Sequence, residues 1–208
     1  MIVYIESNFI LEMALEQEQA VAAETIMALA EKASLKLTYP SFVLSEPFEC
    51  LMRERRERNL LQISLRKSLA TLQRSRPHQN VMVDLKPIID ILQAATSKQL
   101  ERLNAIFAWL LAIGECIHID TIDFHQALLY QQRLDLSPQD SIIYASVIAD
   151  LRARAQDEEK CFLSRDRKAF AQDDDRELKA ELSTYNCRYI GNFAQGLEYI
   201  QHTLQNAG

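Results

Sequence analysis

The sequence predicts an α/β fold on a parallel sheet of about five short strands, and three observations carry that prediction. Short runs dense in β-branched and aromatic residues alternate with longer runs whose apolar residues recur at three and four, the pattern of βαβ units with right-handed crossovers. The chain has 208 residues, 48% hydrophobic and 25% charged, long enough to bury roughly 70% of its unfolded surface without disulfides or a structural metal. Four Gly and five Pro are too few for a disordered or collagenous chain. We expect a single domain over residues 1–208 with a helical insertion at about 51–114.

MIVYIES reads as the first strand, ending at the polar cluster Glu6-Ser7-Asn8. One helix follows, its apolar positions Ile10, Leu11, Ala14, Leu15, Val21, Ala22, Ile26 and Leu29 spaced by three and four, before Leu35 to Tyr39 gives a second strand stopped by Pro40. A long helix should start near Ser45. Leu61, Leu65, Leu69 and Leu72 make one stripe and Leu100, Leu103, Phe107 and Leu110 another, with the turn between them at Ser75 to Asn80. These stripes, and Trp109 beside the second, are expected to serve as core or dimer contacts. Ile117-His118-Ile119 looks like a third strand, Asp123 like the cap of a helix to Gln132, and Ser137-Pro138-Gln139-Asp140 like the start of another to about Ala155. Lys160 to Ser164 and Cys187 to Ile190 complete the strands.

The cysteines, Cys50, Cys116, Cys161 and Cys187, show no metal or redox spacing and sit among apolar neighbours, which predicts reduced, buried thiols in a cytoplasmic protein. The longest uncharged apolar run, Ala105 to Gly114, is about half the ~20 residues needed to span a bilayer, and the N-terminus lacks the basic region and cleavage site of a signal peptide. No membrane partner is expected. Net charge is −6, from 23 Lys+Arg and 29 Asp+Glu, but residues 53–86 hold nine bases and three acids. A +6 arm is therefore attached to a body of −12. Within it Arg56, Lys67 and Arg74 are separated by close to whole helical turns and in a continuous helix share a face, a candidate track for RNA phosphates or an ordinary solvated surface.

Ligands of open parallel sheets bind at the carboxyl ends of the strands, and that rim is predicted to be acidic. Glu6 ends the first strand, Asp166 follows the fourth, and Glu46 and Asp140 lie in the first turns of helices leaving the same rim, with Glu49 a rival for Glu46. Clustered carboxylates repel one another, and a divalent cation reverses that cost. An all-oxygen donor set without useful His or Cys selects Mg²⁺ or Mn²⁺, ions suited to phosphodiester hydrolysis. Each acid also has a structural reading: Asp140 in a capping box, Asp166 as an N-cap, Glu46 as a first-turn acid. Asp173-Asp174-Asp175 is read as a solvated loop without a site role.

VYIESNFIL, FVLSEPFECL, LSPQDSIIYASVIADL, FLSRDRKAF and NCRYIGNF, in that order, resemble the PIN domain, the nuclease fold of many toxin–antitoxin ribonucleases, over roughly residues 1–50 and 115–200. The resemblance implies a three-layer α/β/α sandwich, a metal site of Glu6, Glu46, Asp140 and Asp166 supported by Asn8 and Ser164, and endonucleolytic cleavage of RNA to a 5′-phosphate and a 3′-hydroxyl. It also implies an RNA substrate and admits an antitoxin, another protein partner or a second copy of the chain. The family usually carries Asp where this chain has Glu6, which keeps open an alternative, a catalytically silent RNA- or protein-binding module of the same fold. An acid-rimmed phosphatase is disfavoured, since no strand end carries an Asp with a second Asp two residues on.

Overall fold

The computed structural model describes residues 1–78, 84–170 and 176–206. Among them five strands, β1 (Ile2–Ile5), β2 (Lys36–Pro40), β3 (Glu115–Ile117), β4 (Lys160–Leu163) and β5 (Cys187–Ile190), form one wholly parallel sheet in the order β3-β2-β1-β4-β5. β1 is central and buried along its whole length, which is why it reads as a continuous apolar run rather than an alternating one. β4 is equally enclosed.

Nine described helices cover the sheet: α1 (Ser7–Ala14), α2 (Ala20–Glu31), α3 (Glu46–Leu72), α4 (Lys86–Ile113), α5 (Thr121–Arg133), α6 (Pro138–Ala153), α7 (Arg167–Phe170), α8 (Arg176–Thr184) and α9 (Phe193–Asn206). α1, α2, α4 and α9 pack among themselves on one face. On the other, α5 packs along α6, and Tyr130 and Tyr144 from these helices hydrogen-bond to Glu181 of α8 at 2.7 and 3.3 Å. The architecture is a three-layer α/β/α sandwich. Among the described residues no helix is long and apolar enough to cross a membrane.

Several boundaries differ from the sequence reading. The first helix is two helices. Glu16 adopts φ 51°, and Gln17 N–H and Glu16 N–H donate to Glu12 O and Met13 O at 2.9 and 3.2 Å, a left-handed helix stop without the usual glycine. β3 starts two residues before the expected Ile117, because its partner β2 ends at Pro40, which pairs with Ile117 and leaves His118 and Ile119 without a strand to join. The cap of α5 is Asp120, not Asp123: Asp120 Oδ1 accepts from Ile122 N and Asp123 N at 2.7 and 3.0 Å, while Asp123 Oδ2 accepts from Asp120 N at 3.1 Å. All four cysteines are free, but only Cys161 and Cys187 are buried; Cys50 and Cys116 are half-buried.

The insertion is a helical hairpin, α3 and α4, between β2 and β3. Its base joins the core through Leu51, Leu103, Ile106, Phe107 and Leu110, with Trp109 half-buried beside them. Further out the expected stripe does not close. Leu61 and Leu72 are about half exposed, and the half-buried positions of α3 are Glu54, Arg58, Gln62, Leu65 and Leu69. The hairpin therefore buries a stripe that is polar in its middle. The expected turn is helical at Arg76–His78, and Gln79 and Asn80 lie outside the described residues.

Lys160 opens β4 fully buried, its ammonium donating to the carbonyls of Ala155, Glu158 and Tyr185 at 2.6, 2.7 and 3.2 Å. All three donors are used, tying the start of β4 to the loops before β4 and β5. Lys160→Met, which leaves those carbonyls unpaired, should destabilise the fold by about 2 to 4 kcal/mol, read as a lower urea midpoint.

Candidate functional site

The chain winds from β1 through β2 to β3, then returns to the other side of β1 to lay down β4 and β5. The connections after β1 and β4 thus lead away to opposite sides, opening the crevice where ligands of such sheets bind. Ile5 and Leu163 are the last paired residues of these strands. Glu6 and Ser164 therefore leave the sheet side by side.

Glu6 is the most constrained acid at this rim. It is only 3% exposed and caps α1, with Oε2 accepting from Asn8 N–H at 2.8 Å, while Oε1 is buried without a hydrogen-bond partner. Burial pushes its carboxyl up to about 8, and repulsion by Glu46 and Asp166 adds to that rise against the opposing pull of the Asn8 amide and the Ser164 hydroxyl. Asp140 is also raised, first by burial and then by Asp166 and Glu46, with the Ser137 hydroxyl opposing. Glu46 and Asp166 thus lie near enough to both Glu6 and Asp140 to disfavour their charge.

Each acid reaches the rim from a separate helix start and has at least one oxygen tied to the protein. Glu46 opens α3, and its Oε2 accepts from Ser7 Oγ at 2.5 Å, a contact between residues 39 apart in sequence. Asp140, in the first turn of α6, accepts at Oδ2 from Ser137 Oγ at 2.5 Å, while Ser137 Oγ accepts from Asp140 N at 3.1 Å. Asp166 precedes α7 and accepts at Oδ1 from Ala169 N at 3.0 Å; its own N–H donates to Ser164 Oγ at 3.0 Å. Negative side chains at helix N-termini are favoured by the macrodipole, so the fold offsets part of the repulsion it creates.

Ser164 is fully buried and acts on both Glu6 and Asp166. Asn8 supports Glu6 through its backbone amide rather than its side chain, so the polar side chain expected to help is not what does so. The sequence reading missed Ser7, which is 1% exposed, and the pairing of Arg165 with buried Glu12 at 2.5 Å, which holds the loop after β4 against α1. Glu49 is exposed on α3, away from the contacts that Glu46 makes. The run Asp173-Asp174-Asp175 lies outside the described residues.

On the arm, Arg56 and Lys67 are exposed on α3, but that helix ends at Leu72 with Gln73 as its cap, so Arg74 falls in the following turn. The shared face holds for the first two residues and not for the third.

Among the described residues, no three or more His, Cys, Asp or Glu side chains stand close enough to hold a metal ion between them. In chemistry the donor set suits a hard divalent ion, and the bare buried Oε1 of Glu6 is an atom that a cation would serve. No family model matches the sequence, and no curated protein matches it.

The raised carboxyl of Glu6 makes stability depend on pH. Below its ordinary value of 4.5 both folded and unfolded chains hold the proton; between 4.5 and about 8 only the folded chain does, so stability falls as pH rises through this window. Urea midpoints measured in EDTA should show that fall in the wild type. Glu6→Gln should flatten it, leaving a smaller slope from Asp140 near the acid end, and should be the more stable protein at pH 8.

Proposed function

We propose that this chain is a Mg²⁺- or Mn²⁺-dependent endoribonuclease related to the PIN domains. The observation that carries the reading is the gathering of Glu6, Glu46, Asp140 and Asp166 from four segments at the switch point of a parallel sheet, with one buried carboxylate oxygen of Glu6 left unpartnered. Structural caps do not require Glu46 and Asp166 to oppose the charge of both Glu6 and Asp140. A cation shared among oxygens gives that cost a use.

In this reading Glu6, Glu46, Asp140 and Asp166 hold the ion. Ser7, Ser137, Ser164 and the Asn8 amide hold the carboxylates by the bonds described above, and binding an ion would draw those side chains closer together than they stand without it. When bound, the ion polarises the phosphoryl oxygen and lowers the pKa of an attacking water. No residue at the rim is needed as a covalent nucleophile. The exposed bases of the arm, Arg56, Lys67 and Arg74, attract the phosphate backbone to a protein whose remainder is acidic.

One observation favours a second reading, a catalytically silent RNA- or protein-binding module. The acids are close enough to repel but do not form a three-donor array, and Glu6 reaches further than the Asp usual in the family.

The two readings separate in one assay. Purified protein should cut single-stranded RNA with Mn²⁺ or Mg²⁺ and leave it intact in EDTA, and Asp166→Asn should lower the rate by roughly 100-fold or more, since it removes charge that holds the ion against the phosphate. Mn²⁺ at 100 times its Kd should stabilise the fold by about 2.7 kcal/mol, and Asp140→Asn should lose most of that. RNA that survives the wild type under every divalent ion, but is cut by Glu6→Asp, assigns this chain to the silent module.

A further inference from the structure

We propose that the cleft between α3 and α4 binds a nucleobase of single-stranded RNA. The inference rests on the ribonuclease reading for its substrate class and concerns a part of the molecule remote from the acids. Gln62, in the cleft, is 16 residues along α3 from Glu46, or about 24 Å at 1.5 Å per residue.

The cleft exists because the hairpin is polar where paired helices are ordinarily apolar. Arg58 reaches across it, donating to Thr96 Oγ1 and Gln99 Oε1 at 2.8 Å each and pairing with Glu54 of its own helix at 2.7 Å. Its guanidinium is thereby held as a flat plate whose charge is already met. The space left is about 360 Å³, at the small end of the roughly 300 to 1,000 Å³ of ligand sites. That suits one nucleotide better than a peptide helix.

The lining argues for a base. Asn59, Gln62 and Gln93 line the cleft, and among the described residues their side chains make no hydrogen bond. A carboxamide carries a donor and an acceptor side by side, the pairing that reads the edge of a base. Leu92 and Leu100 supply apolar surface for the ring faces. Arg55, Asn59, Gln62 and Arg66 recur at four, three and four, so they share a helical face. Neither arginine on it has an acidic partner among the described residues, which leaves both free to meet the phosphates flanking an inserted base. Arg56 lies about 100° around the helix from Arg55, so this face differs from the one the sequence pattern suggested.

Two binding components then separate by salt. Loss of a base contact weakens affinity at every ionic strength, whereas loss of a phosphate contact on a single strand reduces the slope of log K against log salt by about 0.7. The probe is a labelled single-stranded RNA of mixed sequence, with the same strand made abasic, each titrated in EDTA with the full chain. Gln62→Leu combined with Gln93→Ala should weaken binding of the intact strand roughly 10-fold with an unchanged salt slope and no loss of Tm, because leucine beside Leu92 and Leu100 extends apolar packing. The abasic strand should bind more weakly to the wild type and be indifferent to the double substitution. Arg55→Gln should flatten the slope for both strands. Asn59→Ala, at an exposed helical position, provides a second test if leucine disturbs the hairpin.

Equal affinity of wild type and cleft variants for the intact strand, or of wild type for intact and abasic strands, overturns the base site, as does a wild type that binds neither. Cleavage with Mn²⁺ is scored separately. RNA cut at the acids with cleft-independent affinity removes this site and keeps the ribonuclease; cleft-dependent binding without cleavage under any divalent ion does the reverse.

Discussion

The carboxyl of Glu6 is held out of water at the one place in the sheet where the chain changes direction, and much of the molecule is arranged around that. β1 is enclosed on both faces, so whatever follows it emerges into a buried rim. A carboxylate there costs free energy unless something meets its charge. The backbone meets half of it, through the Asn8 amide at the start of α1; the other oxygen remains unpartnered. Two further acids, Glu46 and Asp166, arrive from helix starts to make the cost larger. A fold selected for stability alone would place apolar or neutral groups there, and in the proposed ribonuclease reading a cation would offset the expense.

The serines at the rim give this site its stiffness. Ser7 holds Glu46, Ser137 holds Asp140, and Ser164 joins the Glu6 and Asp166 segments. Arg165, directly before Asp166 in sequence, is drawn to Glu12 and, at 3.8 Å, to Glu18. Its charge is therefore spent on docking the loop after β4 against α1 and the turn that follows it. The pairing of Arg165 with Glu12 thus directs that charge to α1 rather than to the acids of the rim.

Legibility in the sequence followed the strength of the local signal. β1 and β4 were plain because enclosed parallel strands are short, mostly apolar runs, and Ser137-Pro138 marked the start of α6 because proline and a capping serine act within one turn. The break between α1 and α2 was hidden, since Glu16 takes a left-handed conformation that glycine would have announced. Asp123 misled for a related reason: in a capping box both acids look like caps, and only the hydrogen bonds tell which residue lies outside the helix. At the rim, the acids could be placed because each follows a strand or opens a helix. Ser7 could not be singled out, because its partner is 39 residues away and the bond exists only once α3 has docked. In the arm, counting leucines found Leu65 and Leu69 but not the seam, since the residues facing α4 in its middle are Arg58 and Gln62, and periodicity in apolar residues is blind to a polar interface.

α3 links the two unusual parts of the molecule. Its first residue is bound to Ser7 at the acidic rim, Leu51 anchors it in the core, and from there it runs outward with four of the arm's bases within eight residues of that anchor, Arg53, Arg55, Arg56 and Arg58. The macrodipole of such a helix places its positive end beside the acids, while its arginines place positive charge further along the same rod. Placing like charge on both parts would have eased neither problem: acids along the arm would repel a polyanion, and bases at the rim would compete with a cation. Along α3 the bases from Arg53 to Lys67 stand 7 to 21 residues from Glu46, about 10 to 32 Å at 1.5 Å each, so a rim that favours cations and an arm that favours anions coexist beyond the Debye length of about 8 Å at physiological salt. The helix is therefore a spacer as well as a scaffold: it starts its bases two turns beyond the rim and carries the rest of them outward from there.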